Sequence, residues 1–265
     1  MINTVAIYNL KRDKEDKRDI IFSQMKAGEA LPSVADIRSL CPLVYDQGNQ
    51  GSCTANAGCA ARVMLLGKPS LNLSRAFLYY CERSLEGTTN EDSGASIRDI
   101  CKATNKFGIC EESFMPYNDI DYTTAPSKEA RDNAVNYKIN SYKKLNSLYD
   151  IKTSLVDMKK PVIIGMDVFE SMESSSVAST GKLPMPGKYE QNLGGHAVLV
   201  VGYNDKGVNR CSFIESMYNR LFKNSSSVGY LIIRNSWGSS WGDKGYFYMP
   251  YEYFEKYAYD YWIME

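Results

Sequence analysis

Cys53 sits where a loop rich in Gly, Asn and Gln, QGNQGSC, meets the small residues of a helix start. A thiol there feels unpaired backbone N–H groups and the positive end of the helix dipole, and both favour thiolate, the nucleophilic form. A small buried helix residue, like Cys59 six positions on, is the other reading of that place. His196 opens the apolar run of GGHAVLVVGY, a strand mouth preceded by two glycines, where a ring can face a cleft. Asn235 follows the strand-like YLIIR and opens NSWGSSWGDKGYFY. An amide beside a large indole can orient an imidazole nitrogen and keep water from that hydrogen bond, although tandem Trp-Gly pairs also suit plain turn packing. A thiol nucleophile, an acid–base imidazole and an orienting amide together would perform acyl transfer.

The counts around these residues exclude much else. His196 is the one histidine among 265 residues, so two-imidazole chemistry, HExxH zinc helices and His-rich metal centres are ruled out. Seven cysteines without a CxxC pair make a structural zinc site a poor reading, and no metal or cofactor is expected. Thirty-one basic and 31 acidic residues give no net charge, which argues against a nucleic-acid partner. The start, MINTVAIYNLKRDKEDKRD, has no signal-peptide apolar stretch, and no run approaches the roughly 18 residues of a membrane span. The expectation is an intracellular, cytoplasmic, reducing setting with no membrane partner. Of an odd number of thiols at least one stays free, and structural disulfides would be rare there.

The elements that must position these residues are legible in outline. Residues 53–66 read as a buried Ala-rich helix closed by Gly67; further helices are expected at Ser74–Leu85, with Ser74 as N-cap, and at Ser96–Lys106. Asp150–Lys159 reads as a helix capped by Asp150, and Asn136–Lys144 as a strand. Pro161–Asp167, His196–Tyr203, Tyr230–Arg234 and Gly245–Met249 are apolar runs of strand length. Helices crowd the first half and strands the second, an α+β order suggesting two lobes. In residues 1–35 a mixed-charge run precedes Ile20, Ile21, Phe22 and Met25 at helix-like spacing, ended by Gly28 and Pro32. This leader reads equally as a flexible tail or as a docked amphipathic turn or two.

Taken together, QGNQGSCTANA, GGHAVLVVGY and RNSWGSSWGDKGYFY resemble the papain/cathepsin family of cysteine peptidases, with supporting matches at Asp92–Gly94 and Pro116–Tyr117. The likeness spans roughly residues 36–250. It implies a papain-like two-lobe fold: a leader over 1–35, a mainly helical lobe over 36–133, and a mainly β, barrel-like lobe over 134–265 whose tail returns to the helices. It implies Cys53 as nucleophile, His196 as its imidazolium partner and the donor to the leaving amine, and Asn235 as the residue orienting the ring. Gln47, six residues before Cys53, would donate to the oxyanion beside the Cys53 backbone N–H; losing one such donor costs on the order of 10²–10³ in rate. Trp237 would cover the His–Asn bond and Trp241 flank the primed side. Ser93, Gly94 and Gly195 match backbone contacts to substrate, and Ala95, Ser96 and Gly165 a pocket roomy enough for a bulky apolar side chain.

The pattern also departs from the family. Gln50 stands where the family has a Cys, and Thr54 where it has an aromatic. An insertion near Asn204–Ser227, with Cys211 and Phe213, lengthens the gap from His196 to Asn235. The leader is short for a pro-region and is expected to cross the cleft and limit access. The expected function is a monomeric cysteine endopeptidase acting on polypeptides through a thioester acyl-enzyme. Its alternatives are a catalytically silent papain-like binding protein, a non-hydrolytic acyl transferase, or an exopeptidase blocked at one cleft end by the 171–190 or 204–227 loop.

Overall fold

Eleven of the fourteen residues of helix α1 (Cys53–Leu66) are buried, which its run of Ala, Gly and Cys permits on every face. Gly67 ends it in the left-handed conformation (φ 63°), returning its N–H to the carbonyls of Met64 and Val63. In a computed structural model that describes residues 7–22, 30–206 and 229–265, α1 packs on α2 (Arg75–Glu86), α3 (Ile97–Lys106) and the central strands. Ser74 and Ser96 cap α2 and α3 by accepting from the N–H groups of Phe77 and Asp99. Shorter helices are α4 (Lys128–Ala134), α5 (Leu148–Asp157), α6 (Ser175–Thr180) and α7 (Tyr251–Tyr257).

The strands are β1 (Val34–Asp36), β2 (Tyr142–Leu145), β3 (Val162–Phe169), β4 (Asn192–Asn204), β5 (Tyr230–Arg234), β6 (Tyr246–Pro250) and β7 (Ala258–Met264). All pairings are antiparallel, in the order β2-β7-β3-β4-β5-β6, with β1 added to β4. The α+β expectation holds as a mixed helix-and-sheet fold, but β2 and β6 remain ends, so the sheet does not close into a barrel. The apolar β3 and β4 form its middle, with Met166 opposite His196 and Gly165 opposite Ala197. Leu199 pairs with Arg234, so Asn235, just past the end of β5, falls beside 196–198.

Three expected elements shift. The 136–144 segment divides into a 3-10 turn (Val135–Tyr137) and the short β2. The cap of α5 is Ser147, which accepts from the Asp150 N–H, so Asp150 lies inside the first turn. The described leader residues 7–22 are extended rather than helical: Ile20 and Ile21 are exposed, Phe22 is buried, and Phe22 N–H donates to Lys144 O on the free edge of β2. Met25, Gly28 and residues 207–228, which include Cys211 and Phe213, lie outside the described residues.

Candidate active site

The first turn of α1 differs from the other serine-capped helices. Ser74, Ser96, Ser127, Ser147 and Ser174 each accept a backbone N–H with their side chains, whereas Ser52 makes no such cap bond. Its hydroxyl is turned instead to Tyr117 Oη (2.6 Å) and Asn56 Nδ2 (3.1 Å). Ser52 therefore leaves the N–H groups at this helix start to the Cys53 side, and such a helix start favours negative charge.

β4 brings the imidazole to this helix end. His196 Nε2 and Asn235 Oδ1 are 2.8 Å apart, while Nδ1 is buried without a hydrogen-bond partner. The next residue, Ala197, donates its N–H to Cys53 Sγ at 3.4 Å, so the sulfur lies against the stretch of β4 that carries the imidazole. Trp237 stacks on the imidazole with ring centres 5.1 Å apart at 26°, and Trp241 meets Trp237 edge-on at 4.8 Å.

Gln47 is held from both ends. Its Nε2 donates to Gln50 O (2.9 Å), and its Oε1 accepts from Ser236 Oγ (2.6 Å). Ser236 was not singled out by sequence reasoning, although it lies inside the quoted NSWG motif. Tyr117, noted only within a Pro-Tyr pair, donates to Gln47 O at 2.9 Å. Gln50 points its amide away, to the carbonyls of Asn118 (3.2 Å) and Asp121 (3.4 Å), tying that loop by a route that needs no thiol. Thr54 is fully buried and donates to Glu82 Oε1 at 2.7 Å, which accounts for the polar residue at a usually aromatic position.

The residues expected to meet substrate are met by the chain's own leader. Tyr8 lies edge-on to the rings of His196 (6.1 Å) and Trp237 (6.0 Å) and donates to Glu173 at 2.7 Å. Asn9 Nδ2 donates to Asp92 O (2.8 Å), and Asn9 O approaches Gly94 (φ +62°) where a Cβ would stand only 2.1 Å away. Leu10 N–H donates to Gly195 O and Lys11 N–H to Ala95 O, both at 3.1 Å. The Leu10 side chain packs against Gly165 and Gly195 beside Tyr259, and a Cβ on either glycine would collide with it or with Tyr259. Ser93 Oγ turns to Thr88, and the Ser96 hydroxyl is engaged in capping α3, so neither side chain faces the leader.

Under this cover Cys53 and His196 have no exposed surface. Burial pushes the Cys53 thiol up to about 12, against smaller opposing hydrogen bonds from Ala197 and the helix start. Burial likewise pushes His196 down to about 4, partly opposed by the Asn235 bond. Burial beneath the leader thus opposes the thiolate that the helix start favours. Cys41, Cys53, Cys59, Cys81, Cys101 and Cys110 are all free thiols.

Fold and site together define a papain-like cysteine protease. Residues 31–259 match the papain family of cysteine proteases, and the chain belongs to that family. It is similar to an uncharacterized peptidase C1-like protein of Acanthamoeba polyphaga mimivirus, 34% identical over 285 residues, covering 96% of this chain and 85% of that protein. It is also similar to the crystal structure of xylellain, a cysteine protease from Xylella fastidiosa, with 35% identity, a TM-score of 0.81 and coverage of 97% and 95%. Digestive procathepsin L 3 of Tenebrio molitor larval midgut shares the fold at TM-score 0.64 and 21% identity, covering 92% and 74%. As a protease the chain acts on polypeptides. Among the described residues no helix is long and apolar enough to cross a membrane.

Proposed function

We propose that the protein is a monomeric cysteine endopeptidase restrained by its own leader. The observation that carries the catalytic reading is the Ala197–Cys53 contact at 3.4 Å beside the His196–Asn235 bond at 2.8 Å. In that reading Cys53 Sγ, as thiolate, forms a bond to a peptide carbonyl carbon. The oxyanion is held by Gln47 Nε2 and the Cys53 N–H, and His196 passes a proton to the amine that leaves. Water then attacks the thioester with His196 as base, returning the thiol. Asn235 holds the ring and Trp237 keeps that bond dry; the primed-side position of Trp241 fits its edge-on packing on Trp237.

The restraint reading is supported by the backbone bonds of Leu10 and Lys11 to Gly195 and Ala95, atoms that a peptide substrate would need. In this reading Ala95, Gly165 and Gly195 form the apolar subsite, with Leu10 in it. Digestion of a peptide library by the full chain, by Leu10→Asp and by Cys53→Ala, read by mass spectrometry, tests both readings. Leu10→Asp, which places a charge in the apolar subsite, is expected to cleave faster than the parent, with internal cuts. Cleavage surviving in Cys53→Ala removes the mechanism; equal rates for the parent and Leu10→Asp remove the restraint.

A further inference from the structure

Two carboxylates that the chemistry does not use line the leader's path beyond the apolar subsite. Glu86, the last residue of α2, pairs with Lys11, and Asp167 in β3 presents both oxygens to Arg12 Nη2 at 2.9 Å. The Arg12 guanidinium also lies over the Tyr259 ring, 3.9 Å from its centre. The carboxylate side chains are only 20% and 17% exposed, whereas Lys11 and Arg12 are 39% and 61% exposed. The acids are therefore built into the wall, and the cations are laid over them. Among the described residues, these are the ion pairs that Glu86 and Asp167 make.

The order of contacts gives the two acids their place. Tyr8 lies by the His196 ring, Leu10 fills the subsite at Gly165 and Gly195, and Lys11 and Arg12 follow on the far side of that subsite. Resting on the reading of the leader as occupant of the substrate cleft, we infer that Glu86 and Asp167 are specificity-determining residues. They select polypeptides with Lys or Arg next to the apolar anchor, on the side away from the scissile bond.

A peptide that displaces the leader also removes the counterions of two half-desolvated carboxylates. A cationic peptide restores them, a neutral one leaves them unpaired, and an acidic one adds like charge. Tyr259 offers a ring face to the same guanidinium or ammonium group. Further out, Arg98 and Lys102 border the open cavity of about 520 Å³ that Lys11, Arg12 and Glu86 also line.

The test uses the full chain carrying Leu10→Asp, alone and with Glu86→Gln plus Asp167→Asn. Quenched fluorescent peptides differ only in Lys, Gln or Glu beside a Leu anchor. A Lys-over-Glu preference of about ten-fold in kcat/KM, carried mostly by KM, is expected with the acids present and about two-fold without them. An undiminished preference in the doubly neutralised wall overturns the inference. A second readout needs no turnover: anisotropy of the labelled peptide Tyr-Asn-Leu-Lys-Arg-Asp, and of its Gln-Gln counterpart, on Cys53→Ala/Leu10→Asp. Tighter binding of the Lys-Arg peptide that vanishes with the wall acids supports the inference; equal binding overturns it. Charge-selective binding without any hydrolysis would sink the peptidase reading and leave the subsites standing. Hydrolysis without charge selection does the reverse, and no binding of either peptide removes the leader reading and the inference with it.

Discussion

A side-chain amide can serve an oxyanion only if its N–H end is aimed at it, and Ser236 supplies that aim by donating to Gln47 Oε1 at 2.6 Å. Removing the hydroxyl leaves the amide held at its Gln50 end alone and loosens its aim. Ser236→Ala in the Leu10→Asp background is therefore expected to lower kcat about ten-fold, less than the 10²–10³ expected for deleting Gln47 itself. Its unfolding free energy should fall by about 1 kcal/mol. Unchanged kcat would mean that the Gln47 amide is aimed by other contacts. Glu82 makes a different kind of residue-scale prediction. It is fully buried, one oxygen accepts from Thr54, the other has no partner, and burial raises its pKa well above the ordinary value, against weaker opposing contacts from Thr54 and Arg83. An acid with a raised folded pKa binds its proton in the folded state while the unfolded chain ionises. Stability is thus lost as pH rises above the unfolded value near 4.5. Glu82→Gln keeps the hydrogen bond without the ionisation, so denaturant melts should find the variant gaining on the parent as pH rises from 4 to 8. A constant difference over that range would show that Glu82 is not held as the acid.

Among the elements, the leader is fastened at more than the cleft. Asp13 accepts from Trp262 Nε1 (2.7 Å) and the Arg98 N–H (3.2 Å), and Asp19 pairs with Arg98 at 2.9 and 2.6 Å. The Arg98 and Asp19 side chains are only 7% and 10% exposed, so Asp19→Asn leaves a buried guanidinium without its charge partner. Breaking one side of a buried pair costs about 3–5 kcal/mol, which here falls on the strapped state. Hydrogen exchange at Leu10, Lys11 and Phe22 should accelerate in Asp19→Asn and stay unchanged in Asp16→Asn, whose Arg18 partner is 88% exposed. Equal protection in both variants would mean that the cleft contacts alone hold the leader.

This leader also marks where sequence reasoning stops. Helices α1 to α3 were legible because their signals are local: small residues, a serine cap, a closing glycine. The leader's Ile20, Ile21 and Phe22 carry helix-like spacing, yet their conformation is set by the edge of β2, more than a hundred residues away. Asp150 reads as a cap because Asp and Ser cap alike, and only the backbone distinguishes the cap from the third residue of the turn. Cys53, His196 and Asn235 were legible as a set through motif and order. Ser236, Glu82 and the wall acids were not, because each acts through a partner distant in sequence.

On the leader reading proposed above, closing the leader and desolvating the catalytic pair are one equilibrium at the scale of the whole molecule. In that reading opening hydrates both groups and relieves the burial that holds His196 down at about 4 and Cys53 up at about 12. Below 6.5 the open state holds a proton on His196 that the closed state lacks, so closure weakens as pH falls towards 4. Above 9.0 the open state releases the Cys53 proton that the closed state keeps, so closure weakens again as pH rises. Each slope is about 1.4 kcal/mol per pH unit at its steepest. Closure is therefore strongest between roughly 6.5 and 9. Leader amide exchange, corrected for its intrinsic pH dependence, should be faster at pH 5 than at pH 7.5 in the full chain. The His196→Gln variant removes the low-pH limb, so its leader protection should be level between those two values. Equal protection of the parent at pH 5 and 7.5 would uncouple closure from His196. In that case the strap at Asp13 and Asp19, not the desolvated pair, would govern when the cleft opens.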